Sequence, residues 1–185
     1  MKLNIDNNKI TFKYLDESLY VLSHKNKIMS NTKLKTKSYS SIYKNRIIAF
    51  LICTLIFLIW SIFAGLNNDQ DSLNLYSTLF LFTLCFTIIY FNSLKKIKQQ
   101  INDRLKNKDD IILEVNDGEI KFSKQNEQNV NLNWESIQYI FIGNYSIVFV
   151  SKKENLISIA VPIDYKEEIL SAIKKYKKED MIINN

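Results

Sequence analysis

Two apolar runs separated by a short polar break constrain this chain more than any other feature. From Ile47 to Asn68 there is no charged side chain, and none from Ser72 to Leu94. Each run holds about twenty apolar-compatible residues, enough to cross ~30 Å of hydrocarbon at ~1.5 Å per residue. Between them lies Asn67-Asn68-Asp69-Gln70-Asp71, too polar for lipid and too short for a domain. The pattern predicts a membrane-crossing helical hairpin over 47–94, with helices at about 47–66 and 73–94. Tyr39 and Tyr43 near one end, Trp60 and Tyr76 near the other, and Tyr90 back at the first fit the interfacial placement of amphipathic rings.

The flanking charge orients the hairpin. Residues 1–46 carry ten Lys or Arg against Asp6, Asp16 and Glu17, while the turn carries Asp69 and Asp71 and no base. Residues 92–185 are nearly balanced, with fifteen basic and fourteen acidic side chains. Lys37, Lys44 and Arg46 precede the first run, and Lys95, Lys96 and Lys98 follow the second. Lys/Arg enrichment marks cytoplasmic flanks, so both termini are expected in the cytoplasm, and Lys44, Arg46, Lys95, Lys96 and Lys98 are read as membrane-flanking. The partner implied is the lipid bilayer rather than nucleic acid. Thr54, Ser61, Thr78, Thr83 and Thr87 are the polar members of the runs; packing or bonding to their own helix backbone suits them better than lining a pathway.

The rest of the chain reads as α+β. Leu3 and Ile5, then Ile10, Phe12 and Tyr14, alternate as one or two strands. Asp16 or Ser18 could cap a following amphipathic helix through Leu15, Leu19, Leu22 and Met29. Residues 1–46 form this cytosolic N-terminal segment. Leu94, Ile97, Ile101 and Leu105 continue a helical stripe, a cytosolic extension over 95–108. From 109 to 180 the period changes. Strands around 111–115, 120–122, 130–134, 137–142, 145–151 and 156–161 make an antiparallel meander, with Asp117-Gly118 as a two-residue hairpin turn and Pro162 stopping the last ladder. Asp164 with Glu167 resembles a capping box for a helix carrying Tyr165, Ile169, Ala172, Ile173 and Tyr176 on one face. Residues 181–185 read as a frayed tail.

The candidate sites are few. Trp134 and Ile137 are expected in the sheet core, and Gly118 and Pro162 at chain reversals. His24, the lone histidine, reads as a solvated surface residue. Cys53 and Cys85 lie inside the apolar runs, at similar depth, without metal spacing. Gly65, Gly118 and Gly143 are the only glycines, so no phosphate-binding glycine loop exists. The carboxylate neighbours Asp109 and Asp110, and Glu167 and Glu168, read as turn and helix-start residues. Lys121, Lys124, Lys152 and Lys153 could meet a lipid headgroup but read as scattered surface charges. No catalytic, cofactor-binding or metal-binding residue is assigned, and an enzyme is not expected.

One resemblance rests on short motifs: Asp117-Gly118-Glu119-Ile120, then Asn133-Trp134-Glu135-Ser136-Ile137, then Ile159-Ala160-Val161-Pro162 before the final helix, and Phe12-Lys13-Tyr14-Leu15-Asp16 near the start. With the order of elements, the chain resembles the YcxB-like family of small bacterial membrane proteins. That resemblance implies a pleckstrin-homology-like C-terminal domain in a multi-pass protein of the bacterial inner (plasma) membrane, and no catalytic residues. The function expected is a membrane-anchored cytosolic interaction or scaffold module, with a protein partner or self-association. The alternative is a small oligomeric transport-accessory or immunity-type membrane protein.

Overall fold

The computed structural model describes residues 1–30, 38–106, 111–124, 129–152 and 158–184. The chain divides into two compact units, one of residues 1–39 with 101–185 and one of residues 40–100. The second unit is thus inserted into the first.

The first unit is α+β. Its elements are β1 (Lys2–Ile5), α1 (Phe12–Ser23), α2 (Lys25–Ser30), β2 (Ile111–Val115), β3 (Glu119–Lys124), β4 (Val130–Asn133), β5 (Ile137–Ile142), β6 (Ser146–Ser151), β7 (Ile159–Pro162), α5 (Lys166–Lys175) and β8 (Ile182–Asn184). One four-stranded sheet runs β1-β2-β3-β4 and a second runs β7-β6-β5-β8. All pairs are antiparallel except β5 with β8. Leu113, Ile120 and Leu132 from the first sheet, Ile140, Phe149 and Val161 from the second, and Ile169 and Ile173 from α5 form one continuous core.

The second sheet is covered on both faces. Ile140 and Ile142 point into that core, while the alternate residues Tyr139 and Phe141 are buried outside it. α1 lies on β6, and Tyr139 Oη donates to the Lys25 carbonyl at 2.9 Å. Two covered faces explain why 137–142 reads as a continuous apolar run rather than an alternation.

Several expected boundaries change. Among the described residues of the N-terminal segment, only Lys2–Ile5 form a strand. It pairs with β2, Leu3 opposite Leu113, which identifies the sheet edge it joins. Phe12 and Tyr14, read as strand residues, belong to α1. The cap of α1 is Thr11, whose Oγ1 accepts from the Tyr14 amide at 3.3 Å, not Asp16 or Ser18. Those two lie inside the helix and are buried, and Met29 is exposed. No side chain caps α5; a single 3-10 turn, Ile163–Tyr165, leads into it from Pro162. The supposed frayed tail contains β8, with Ile182 opposite Ile140. Such a tail strand has too little alternation of its own to be legible; the unpaired edge of β5 recruits it.

The second unit is a helical hairpin. Its helices are α3 (Tyr39–Leu66), whose first residue belongs to the first unit, and α4 (Gln70–Lys106), whose residues from Ile101 on belong to it. They are longer than the predicted 47–66 and 73–94, and the extension over 95–108 is continuous with α4 through Lys106. Residues 31–37, 107–110, 125–128, 153–157 and 185, and the side chain of Lys124, lie outside the described residues. The expectations for Lys37, Asp109, Asp110, Lys124 and Lys153 therefore fall there.

Candidate membrane hairpin and its basic collar

The chain reverses between α3 and α4 in three residues, Asn67 to Asp69. Asn68 takes the left-handed conformation (φ 55°), which asparagine tolerates better than most side chains. Its amide donates to the Gly65 carbonyl at 3.2 Å, and the Asp69 amide donates to the Ala64 carbonyl at 3.0 Å. This paired closure satisfies the last carbonyls of α3. Asp69 then opens α4: its carboxylate accepts from the Ser72 amide at 3.1 Å and from Ser72 Oγ at 2.6 Å. These bonds hold the Asp69 carboxyl below its ordinary value. One residue ends the first helix and caps the second.

Side-chain pairs set the register of the hairpin. Tyr43 meets Tyr90 (ring centroids 6.1 Å apart), Phe50 stacks between Phe86 and Tyr90 (5.4 Å to each), and Trp60 meets Tyr76 (5.8 Å). Ser61 and Ser77 share a hydrogen bond of 2.8 Å across the seam. Thr54, Thr83 and Thr87 are buried, and their hydroxyls donate to carbonyls of their own helix at 2.7–3.0 Å. Thr78 also bonds its own helix, but on an exposed surface rather than in the seam. Cys53 and Cys85 are exposed, free thiols. They lie just beyond the Phe50–Phe86 pair in the direction of the turn.

Large apolar side chains cover the outside of the pair. Ile48, Leu55, Ile59, Phe63, Leu81 and Ile88 are all between 52 and 58% exposed. A core helix of a water-soluble protein buries such residues. By length and composition both helices can cross a bilayer.

The open end of the hairpin carries the predicted flanking bases. Lys44, Arg46, Lys95, Lys96 and Lys98 are all exposed. The Arg46 guanidinium lies 5.4 Å from the centre of the Tyr90 ring, a cation–π placement. The antiparallel register brings Lys44 and Arg46 of α3 to the same end as the three lysines of α4. Asp69 and Asp71 are at the other end.

In the α+β unit the structure reveals a clasp that the sequence hides. Glu17 on α1 is buried, and its carboxylate spans the β5–β6 turn. It accepts from the Asn144 amide (3.0 Å), the Tyr145 amide (2.8 Å) and Ser146 Oγ (2.8 Å). Gly143 makes room for it, since a Cβ there would sit 2.5 Å from Glu17 Oε2. Beside it, Tyr14 Oη donates to the Ala160 carbonyl at 2.7 Å, and burial raises the pKa of that phenol. Burial likewise raises Tyr139 to about 12. Asp16 accepts a hydrogen bond from Ser38 Oγ. At the other end of the segment, Tyr165 Oη accepts from the Asp6 amide at 2.7 Å and donates to the Asn4 carbonyl at 3.3 Å. Three consecutive polar residues inside one helix, Asp16, Glu17 and Ser18, carry no periodic signal of burial. The β5–β6 turn accounts for Glu17, Ser38 bonds Asp16, and the Ser18 hydroxyl donates to the Tyr14 carbonyl.

The remaining predicted positions are structural in placement. Trp134 is buried, with its indole N–H donating to the Asn116 carbonyl at 2.9 Å, and Ile137 is fully buried beside it in the core. Gly118 is at the tip of the β2–β3 hairpin, whose Asn116 amide donates to the Glu119 carbonyl at 2.9 Å. It has no positive φ, and a Cβ there would meet nothing within 4 Å. The turn is therefore not the mirror-image type that an Asp-Gly pair signals, and a side chain would fit. Pro162 is the last residue of β7 and is followed by the 3-10 turn. His24 is half-buried, not solvated: its ring stacks on Tyr20 at 4.6 Å. Lys121 pairs with Glu119 at 3.0 Å, and Lys152 is exposed at the end of β6. Among the described residues no group of three or more His, Cys, Asp or Glu side chains comes together as a metal site.

No family model matches this chain, and comparisons with curated proteins and with solved structures find no match.

Proposed function

We propose that this chain is a membrane-anchored interaction or scaffold module, built on the YcxB-like plan. The hairpin crosses the plasma membrane twice with both termini in the cytoplasm. The α+β unit, a pleckstrin-homology-like arrangement of two sheets closed by α5, presents a protein-binding surface at the inner face. The observation that carries this reading is the hairpin itself. Its outer surface is apolar all round, its open end is basic, and its turn is acidic. Charge of that sense keeps the basic end cytoplasmic. The hydroxyls in the helices bond to their own backbone or to each other, which favours an anchor over a polar conduit.

Isolation of the tagged full chain from native membranes tests the assignment. A stable, stoichiometric assembly with a larger protein is the expected result. A uniform oligomer of this chain that conducts ions in a planar bilayer would replace the scaffold with the transport-accessory reading.

A further inference from the structure

We propose that the open end of the hairpin is a binding site for the phosphate headgroups of anionic phospholipids, formed by Lys44 and Arg46 on α3 and Lys95, Lys96 and Lys98 on α4. This rests on the membrane-spanning reading and adds to it a chemical preference for one class of lipid.

Depth supplies the first argument. The Tyr43–Tyr90 and Trp60–Tyr76 ring contacts mark two levels of the hairpin. From Tyr76 to Tyr90 the helix rises about 21 Å, and from Tyr43 to Trp60 about 26 Å, which brackets most of the ~30 Å hydrocarbon core. The polar layer outside that core is roughly 5–8 Å thick on each side. Arg46 is at the level of Tyr90. Lys95, Lys96 and Lys98 lie about 8–12 Å beyond Tyr90 along the axis. Side chains of a helix tilt toward its N-terminus, so those lysines on α4 lean back into the headgroup layer.

Charge and geometry supply the second. The five bases are exposed, and no described carboxylate forms an ion pair with any of them. On α4, Leu94 and Ile97 are buried; at 100° per residue Lys95 and Lys96 lie on the opposite arc, and Lys98 lies at the margin of the buried face, one turn beyond Leu94. The bases therefore wrap the hairpin as a collar. Tyr90 fixes the guanidinium of Arg46 by one face, leaving its N–H edge to form paired hydrogen bonds with a phosphate. The turn has only Asp69 and Asp71, so the attraction belongs to one leaflet.

The test uses the full chain in phosphatidylcholine vesicles containing a trace of spin-labelled phosphatidylcholine or spin-labelled phosphatidylglycerol. Flotation with the vesicles checks insertion. The spin-label spectra give the ratio of the two lipids held at the protein. The parent should prefer phosphatidylglycerol by about five-fold or more, the factor that one basic side chain contributes near an anionic surface. The pair Lys44→Gln/Arg46→Gln and the triple Lys95→Gln/Lys96→Gln/Lys98→Gln should each lower the ratio, and the five together should bring it near one. A parent that floats but shows no preference overturns the headgroup site alone. A ratio unchanged in both partial variants does so as well. A parent that does not float overturns the membrane reading, and the site with it.

Discussion

Ile140 on β5 and Ile59 on α3 are the same side chain in opposite surroundings. Ile140 is 0% exposed and Ile59 is 52% exposed. In the α+β unit the apolar residues find each other, and burial at roughly 25 cal/mol per Å² drives the fold. In the hairpin the two helices cover only a seam of each other, and most of their apolar surface faces outward. The first unit supplies its own hydrophobic interior; the second, on the proposed reading, takes one from the lipid. The difference teaches that hydropathy alone does not say where a side chain goes. Thr54 is buried and Leu55 beside it is exposed, the reverse of the order in the α+β unit.

The largest effect that probes this contrast is a charge in each unit. Ile169→Asp places an unpaired carboxylate in the core beneath α5 and should destabilise the α+β unit by on the order of 4 kcal/mol. Ile59→Asp should leave that unit's melting unchanged and impair membrane insertion by about 3 kcal/mol. Melting of full-length protein, followed by Trp134 fluorescence in a Trp60→Phe background, reads the first. Membrane yield reads the second. Equal melting of Ile169→Asp and its parent would remove the packing of α5.

Next comes the clasp. Glu17→Ala strips three hydrogen-bond donors of the β5–β6 turn of their acceptor and should cost about 1–3 kcal/mol. Gly143→Ala should cost about 1–2 kcal/mol in the parent, because its methyl group meets the Glu17 carboxylate. In a Glu17→Ala background that second cost should largely vanish, a coupling that a double-mutant cycle measures. Additive costs would mean that the carboxylate does not span the turn.

Smaller effects sharpen the edges of the α+β unit. Lys177 closes α5 in the left-handed conformation (φ 54°), with the Lys178 amide on the Ile173 carbonyl at 3.1 Å. Lys177→Gly should therefore stabilise the unit by about 0.5–1 kcal/mol. Smallest is the Lys2–Glu114 pair between β1 and β2, at 2.8 Å. The hydrogen bond from Lys2, and then its charge, lower the Glu114 pKa. A depressed carboxylate contributes stability above its unfolded-state pKa and loses it as pH falls through the folded value. Lys2→Met should return the Glu114 titration, followed by NMR, to the ordinary glutamate range.

Most of the strands were legible because Asp117-Gly118 and Pro162 punctuate alternating or continuous apolar runs, but the division of the expected meander into two sheets between β4 and β5 was not. The two long helices were legible by length and lack of charge. The N-terminal helix start was not, because Ile10, Phe12 and Tyr14 alternate like a strand, while Tyr14 turns its hydroxyl to Ala160 from a helix. Local pattern lost to tertiary contact there. The clasp escaped for a related reason. Nothing local marks Glu17 for burial, and the turn groups it binds lie 127 positions away or more. The bases at the open end were legible too, since a hairpin brings the residues before its first run to those after its second; what the structure adds is the register set by Phe50, Phe86, Trp60 and Tyr76.

The central claim is that residues 40–100 cross the bilayer twice and return. Single cysteines placed at Asn68 and at Asn185, in a chain with Cys53→Ala and Cys85→Ala, report it on intact cells through a membrane-impermeant maleimide. The account predicts labelling at position 68 without permeabilisation, and at position 185 only after it. Labelling of 185 but not 68 on intact cells, or of neither until permeabilisation, would contradict it.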